Sequence, residues 1–194
     1  MKKKITIVDY GLGNIVSAQQ SFLKATQEVN LDADVVISNL PSDIIDSSHI
    51  VLPGQGAFKS CINGLKDIAG MIDALEKTVI ENRKPFLGIC VGMQLLAEFS
   101  LENGKHQGLG WIKGSIKKIE TESLKLPHMG WNNIEIVNDN FEMKFSKEIK
   151  DFYFVHSYLF DCHNKENIIG ITNYEVDFAS IVGKENIYGV QFHP

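Results

Sequence analysis

The chain has 194 residues, of which 44% are hydrophobic, so it is long enough to bury a complete core as one domain. Its formal net charge of −5 argues against a nucleic-acid-binding protein, since such proteins usually carry a basic surplus. No stretch approaches the roughly 18 consecutive apolar residues of a transmembrane helix. The chain has three cysteines, an odd number, and the sequence carries no export signal. Both observations indicate a cytoplasmic protein without disulfides.

In the first half of the chain, short apolar runs alternate with helix-like segments. This pattern is typical of a parallel sheet covered by helices on both faces. The predicted strands are Lys4–Asp9, Asp34–Ile37, His49–Leu52 and Pro85–Leu87, and the predicted helices are Ile15–Glu28 with Asn14 as its N-cap, a short helix from Pro41, Met71–Asn82 and Met93–Phe99.

Beyond residue 105 the pattern changes to shorter extended runs. They predict an antiparallel or mixed extension of the same sheet. The runs are Gly114–Ile119, Asn133–Val137, Phe152–Val155, Ile168–Thr172, Phe178–Val182 and Ile187–Phe192. The predicted fold is therefore α/β: a single domain with a mixed, mainly parallel sheet flanked by helices, flavodoxin-like in architecture.

The segment Gly11–Asn14 follows the first strand, where a dinucleotide-binding loop would lie. The third glycine of that fingerprint is missing, because Val16 stands in its place. We therefore interpret the segment as a tight turn.

Cys90 lies between two glycines, Gly88 and Gly92, where a buried strand is expected to turn into a helix. Such a strained turn needs glycines because its flanking positions have no room for a Cβ. The first amides of a helix stabilise a thiolate, the reactive form of cysteine. The pattern favours a nucleophile over a buried structural cysteine.

Gly54 and Gly56 follow the strand that ends at Leu52. Ligands in open α/β sheets gather at this edge, where free backbone N–H groups can bind an oxyanion. The motif alone is equally compatible with an ordinary turn.

His193 ends the apolar run Val190–Phe192 and precedes Pro194, which stops the strand. A thiolate nucleophile needs a base and general acid that the fold brings to it. Among the six histidines, His193 is the candidate for that role. No pair of histidines has a zinc-like spacing, so no metal site is expected.

The chain resembles the class I (triad) glutamine amidotransferases along nearly its whole length. The matching segments are Asp9–Asn14, Pro53–Phe58, Gly88–Gln94, Pro127–Asn132, Tyr153–Tyr158 and Gly189–Pro194. Pro127–Asn132 and Phe154–Tyr158 indicate the histidine-biosynthesis branch, whose glutaminase feeds ammonia to a (β/α)8-barrel cyclase subunit in a heterodimer.

The resemblance implies a role for each matching position. Cys90 would attack L-glutamine and form a glutamyl thioester, and His193 would transfer the protons. No cofactor is implied. The implied oxyanion hole is Gly54, Gln55, Gly56 and Val91; the implied glutamine-binding residues are Gln94, Glu102, Ser157 and Tyr158; and the implied partner surface is His128, Met129, Gly130, Trp131 and Asn132.

One position of the family pattern has no counterpart in the 194 residues. The family carries a glutamate directly after the His-Pro pair, followed by a helix, and the sequence ends at Pro194. That carboxylate would orient His193, so we expect the chain as written to be catalytically impaired and the sequence to be truncated. Asp161 or Asp177 is a conceivable substitute.

Three alternatives stay open. The chain could supply ammonia to another synthase, for example one that aminates a surface sugar. It could be an α/β-hydrolase-like enzyme with its acid between nucleophile and histidine, or a flavodoxin-like protein that uses Cys90 as a reactive thiol.

Overall fold

The computed structural model describes residues 2–138 and 151–193. The strands in these ranges are Lys3–Val8 (β1), Ala33–Ser38 (β2), His49–Gly54 (β3), Phe86–Cys90 (β4), Phe99–Ser100 (β5), His106–Gln107 (β6), Gly114–Lys118 (β7), His128–Asn133 (β8), Glu135–Ile136 (β9), Asp151–His156 (β10), Tyr158–Cys162 (β11), Ile168–Tyr174 (β12), Val176–Lys184 (β13) and Ile187–Val190 (β14). The helices are Ile15–Glu28 (α1), Pro41–Ile45 (α2), Phe58–Asp67 (α3), Met71–Leu75 (α4) and Val91–Gln94 (α5), with a π-helical turn at Glu76–Glu81 and a 3-10 turn at Lys165–Asn167.

Five neighbouring strands form a parallel region in the order β2-β1-β3-β4-β14. The apolar runs of β1 and β3 are buried, as strands covered on both faces must be. The predicted β1, β2 and β3 are confirmed to within two residues. Helix α1 has the predicted bounds, and Asn14 caps it by accepting the Ser17 N–H at 3.3 Å.

The second half extends this sheet mainly with antiparallel pairs, and β5 pairs parallel with β7. Strand β13 pairs antiparallel with β14, β11 and β12, and β7, β5 and β6 continue beyond β11. The predicted α/β fold with a mixed sheet is confirmed. Pro194, predicted to stop the last strand, lies outside the described residues.

One run that was predicted to extend the main sheet lies in a separate sheet. Strands β8 and β10 pair antiparallel in a two-stranded sheet of their own, which we call the ribbon. Placing Phe152–Val155 in the main sheet was wrong, because its partner is β8, whose polar and glycine-containing sequence gives no strand signal. One face of the ribbon carries His128, Phe154 and His156 inward, and the other carries Met129, Trp131 and Tyr153.

The helix predicted over Met93–Phe99 was also wrong. Helix α5 ends at Gln94, and Phe99 begins β5. The carbonyls of Leu95, Leu96 and Ala97 instead accept the N–H groups of Leu109, Ile112 and Gly110 at 2.8 to 3.0 Å. A tertiary backbone contact thus replaces the helical hydrogen bonds.

Helix α3 was missed, although its buried residues carry a helical signal. Phe58, Cys61, Ile62 and Leu65 are spaced at i, i+3, i+4 and i+7. The predicted helix Met71–Asn82 is α4 continued by the π-helical turn. Among the described residues, no helix has the length and apolar character needed to cross a membrane.

Candidate active site

Cys90 occupies a strained turn between β4 and α5. Its backbone has φ 55° and ψ −113°, a conformation that L-residues rarely adopt. A Cβ on Gly88 would lie 2.5 Å from the Gly92 carbonyl oxygen, and one on Gly92 would lie 1.8 Å from the Leu52 carbonyl oxygen. Both glycines are therefore required, as the sequence predicts, because the turn packs on itself and on β3.

A cavity of about 560 Å³ opens at this turn. It is lined by the candidate nucleophile Cys90, by His193 at the end of the chain, and by all the predicted oxyanion-hole and glutamine-binding residues: Gly54, Gln55, Gly56, Val91, Gln94, Glu102, Ser157 and Tyr158. Cys90 and His193, 103 positions apart in the sequence, thus share one site. Among the described residues, no three His, Cys, Asp or Glu side chains form a group that could hold a metal ion.

Cys90 is 5% exposed, and burial raises the pKa of its thiol to about 12. A hydrogen bond from the Val91 N–H opposes the rise, as does the Gln191 amide, whose Nε2 lies 3.7 Å from Sγ. The expectation of a thiolate is therefore wrong for the resting site. The first amide of the four-residue helix α5 offsets only part of the cost of burying a charge.

His193 reaches the cavity from the strand end that follows β14. Its backbone N–H donates to the Tyr153 carbonyl at 3.0 Å, which attaches the histidine to the ribbon. Its Nε2 atom is buried and has no hydrogen-bond partner among the described residues. Burial lowers the pKa of His193, so its imidazole is neutral at physiological pH.

The two carboxylates considered as substitutes for the missing glutamate bond to other side chains. Asp161 forms an ion pair with Lys117, and Asp177 accepts from Asn173 Nδ2 at 2.7 Å. Neither side chain lines the cavity that holds His193. Neither is therefore placed to orient the imidazole.

Gln94 and Glu102 have structural partners inside the site. Gln94 Nε2 donates to Gln191 Oε1 at 3.0 Å and lies 3.4 Å from the Tyr158 carbonyl. The Glu102 carboxylate accepts the N–H of Phe58, the first residue of α3, at 2.7 Å. Gln191, which contacts both Cys90 and Gln94, was missed because it sits inside an apolar run and looks like an ordinary strand residue.

The segment Pro53–Gly56 runs along the cavity beside Cys90. The Tyr10 hydroxyl donates to the Pro53 carbonyl at 2.7 Å, and the Cys61 thiol donates to the Gln55 carbonyl at 3.4 Å. A Cβ on Gly54 would lie 2.6 Å from the Gly92 nitrogen. The segment is thus fixed by contacts from the loop after β1, from α3 and from the Cys90 turn. Neither Tyr10 nor Cys61 was singled out from the sequence.

Most of the predicted partner surface is accessible. Trp131 is 75% exposed and Met129 is 62% exposed, and the Trp131 ring contacts Tyr153 edge-on at 5.8 Å between centroids. Gly130 and Asn132 are partly exposed, and alternation along β8 puts both on the inner face together with His128.

His128 does not belong to that surface. It is 3% exposed and packs against the rings of Phe154, Tyr174 and Phe178. Its assignment to the partner surface was wrong, because alternation along β8 turns its side chain to the inner face.

The comparisons with known proteins agree with this geometry. Residues 7–194 match the family described as "Glutamine amidotransferase class-I". The chain is 44% identical over 193 residues to the imidazole glycerol phosphate synthase subunit HisH of Pelagibacter ubique (strain HTCC1062), covering 98% of this chain and 91% of that one. It is 42% identical over 192 residues to the subunit of the same name from Zymomonas mobilis subsp. mobilis, covering 98% and 87%.

Solved structures show the same fold. A crystal structure of a glutamine amidotransferase matches with a TM-score of 0.68 at 15% identity, covering 97% of this chain and 89% of that one. A glutamine amidotransferase from Thermotoga maritima matches with a TM-score of 0.65 at 20% identity, covering 100% and 76%.

The chain belongs to the class-I glutamine amidotransferase family. Within that family it groups with the HisH subunits of imidazole glycerol phosphate synthase, which it matches over nearly its whole length.

The approach of Gly92 to β3 predicts a large loss of stability when a methyl group is added there. Gly92→Ala should lower the free energy of unfolding by about 3 kcal/mol or more, because the Leu52 carbonyl cannot move without breaking the sheet. Urea denaturation measures the loss. Gly110→Ala is the control: Gly110 also has a positive φ, but no atom lies within 4 Å of its Cβ position, so its cost should be about 1 kcal/mol. Equal losses would contradict the close packing.

The raised pKa of Cys90 predicts slow alkylation at neutral pH. The rate should rise about tenfold per pH unit from pH 7 to pH 10 without a plateau, because only the thiolate reacts and the pKa lies near 12. Iodoacetamide labelling followed by peptide mass spectrometry measures it, with Cys90→Ser showing the background from Cys61 and Cys162. A plateau below pH 8 would contradict a protonated resting thiol.

Proposed function

We propose that this chain is the glutaminase subunit of an imidazole glycerol phosphate synthase in histidine biosynthesis. It hydrolyses L-glutamine to glutamate and ammonia and delivers the ammonia to a (β/α)8-barrel cyclase subunit, which makes imidazole glycerol phosphate and AICAR. The observation that supports this most strongly is the shared cavity of Cys90, on its strained turn, and His193, with its unpartnered Nε2. We assign residues 1–194 to one amidotransferase domain that acts in the cytoplasm, where its three free cysteines stay reduced.

The reaction starts when the Cys90 sulfur attacks the carboxamide carbon of glutamine. His193 accepts the thiol proton as the C–S bond forms, which its neutral, unpartnered Nε2 can do. The carbonyl oxygen becomes an oxyanion that accepts hydrogen bonds from backbone N–H groups of Val91 and of the Gly54–Gly56 segment. One such donor typically lowers the activation barrier by about 3 kcal/mol.

The tetrahedral intermediate then loses ammonia and leaves a glutamyl thioester on Cys90. His193 returns the proton to the departing nitrogen, and water subsequently attacks the thioester with His193 again as base. Hydrolysis releases glutamate and restores the thiol. In this scheme the proton moves from sulfur to imidazole only with substrate present, which fits a resting thiol whose pKa is raised to about 12.

The glutamine head group is assigned to one wall of the cavity. Gln94, Glu102, Ser157 and Tyr158 line it, and the Glu102 carboxylate gives it a negative charge suited to an α-ammonium group. Gln94 and Glu102 also bond to neighbouring elements, so their positions are fixed before substrate arrives.

The partner is assigned to the outer face of the ribbon. Trp131 and Met129 are exposed there, and an exposed Trp is a common anchor of protein interfaces. Tyr153, which contacts Trp131, also lines the cavity together with Pro127. Docking on this face would therefore cover the cavity's ribbon side, which supports direct transfer of ammonia to the partner.

Glutaminase assays of the chain with its cyclase test the catalytic assignment. The family pattern places a glutamate directly after Pro194, so the assay uses a chain extended by that residue. Cys90→Ala should lower turnover by roughly 10⁴-fold or more, because no thioester can form. Cys162→Ala is the matched control, since Cys162 is also buried but lies outside the cavity. Ammonia release that survives in Cys90→Ala would contradict the mechanism.

The exposed Trp131 should dominate partner binding. Trp131→Ala should raise the Kd for the cyclase about 30-fold, the usual effect of losing a tryptophan anchor. Val29→Ala is the control, because Val29 is 70% exposed at the far end of α1 from the cavity. Calorimetric titration measures both, and equal effects of the two substitutions would exclude the ribbon as the docking face.

A further inference from the structure

The inner face of the ribbon carries a hydrogen-bonded chain of side chains that ends at the cavity. Asn132 Nδ2 lies 3.2 Å from His128 Nε2, and His128 Nδ1 lies 3.2 Å from His156 Nε2. His156 Nδ1 in turn lies 2.9 Å from the Tyr158 carbonyl oxygen. The two histidines stand directly opposite each other on β8 and β10.

The direction of every bond in this chain is fixed by its two ends. The Tyr158 carbonyl can only accept, so His156 Nδ1 carries the proton and His156 Nε2 accepts. His128 Nδ1 is then the donor, and His128 Nε2 accepts from Asn132. The other Asn132 N–H donates to the Asn173 carbonyl at 2.9 Å, which fixes the amide orientation as well.

This arrangement needs both imidazoles to be neutral, because a second proton on either ring would place two donors face to face. Burial supplies that condition: it lowers the pKa of His156 to about 4 and lowers that of His128. A hydrogen-bonded pair in a ring-packed interior is held in one geometry.

The chain ends where it can influence the site. Ser157 is the single residue between β10 and β11, and Ser157 and Tyr158 both line the cavity. The Tyr158 carbonyl lies within reach of two donors, His156 Nδ1 and Gln94 Nε2, so its orientation is set from two sides. The other end of the chain lies on β8, next to the exposed Trp131.

We infer that His128 and His156 are positioning residues that hold the Ser157–Tyr158 turn in its glutamine-binding geometry and connect it to β8, the strand of the docking face. The inference rests on the proposed function, since it assigns these side chains to the same glutamine site. Neither side chain reacts with substrate. His156 also lines the cavity. We assign the effect of both histidines on glutamine affinity to the hydrogen bond that His156 donates to the Tyr158 carbonyl.

Replacing His156 in two ways separates positioning from a general structural role. His156→Leu has similar volume but no donor, and it should weaken glutamine binding about fivefold to tenfold, the effect of losing one buried hydrogen bond. His156→Asn leaves a larger void, so it should lower the melting temperature more. It places an amide N–H near the former Nδ1 position and should keep the affinity within about twofold.

The measurement is calorimetric titration of glutamine into a Cys90→Ser background, which binds without turnover. His128→Leu should weaken binding in the same direction as His156→Leu, and His49→Leu, a half-buried histidine remote from the cavity, should leave it unchanged. If affinity follows melting temperature, so that the Asn variant is the weaker binder, the inference is overturned. If the Cys90→Ser parent binds no glutamine, the proposed function itself fails.

Nitrogen-15 NMR of the imidazoles gives a second readout that does not depend on glutamine. The inference expects both His128 and His156 as the neutral Nδ1–H tautomer at pH 7. The Nε2–H tautomer on His156 would overturn it, because the Tyr158 carbonyl would then have no donor from that ring.

Discussion

The contact between the Cys90 turn and strand β3 is the constraint on which the rest of the site depends. Gly92 lies so close to the Leu52 carbonyl that a Cβ would overlap it, and a Cβ on Gly54 would lie 2.6 Å from the Gly92 nitrogen. This approach puts Cys90 directly opposite Gly54 at the edge of the cavity. The backbone N–H donors proposed for the oxyanion and the proposed nucleophile are therefore positioned by one packing interaction between two parallel neighbours.

Burial then sets the electrostatics of that site. It raises the pKa of Cys90 and lowers the pKa values of His156 and His193, so every one of these groups is neutral at rest. A neutral pair of Cys90 and His193 becomes a thiolate–imidazolium pair only as substrate arrives. Such behaviour suits a subunit whose ammonia is useful only when a partner consumes it.

Several features of this molecule could be predicted from the sequence because local physics determines them. The two glycines around Cys90 predict a turn without room for side chains. The alternation of apolar runs and helices in residues 4–82 predicts the parallel sheet. The Gly54–Gly56 motif is compatible with a functional loop and with an ordinary turn, so the motif alone did not decide between them. The resemblance to the amidotransferases decided which residues to expect in the cavity, and the structure brings those residues together. Other features depend on contacts distant in sequence: residues 95–97 form backbone hydrogen bonds with residues 109–112 instead of a helix, and His128 faces inward because of its pairing with β10.

The most direct test of the central claim, that Cys90 and His193 act together on glutamine, is acid-quenched mass spectrometry of the cyclase complex mixed with glutamine. A joint action of the two residues predicts a glutamyl adduct on the Cys90 peptide alone, formed quickly in the parent and far more slowly in His193→Asn. Release of ammonia without an adduct, or an adduct on Cys61, would contradict it.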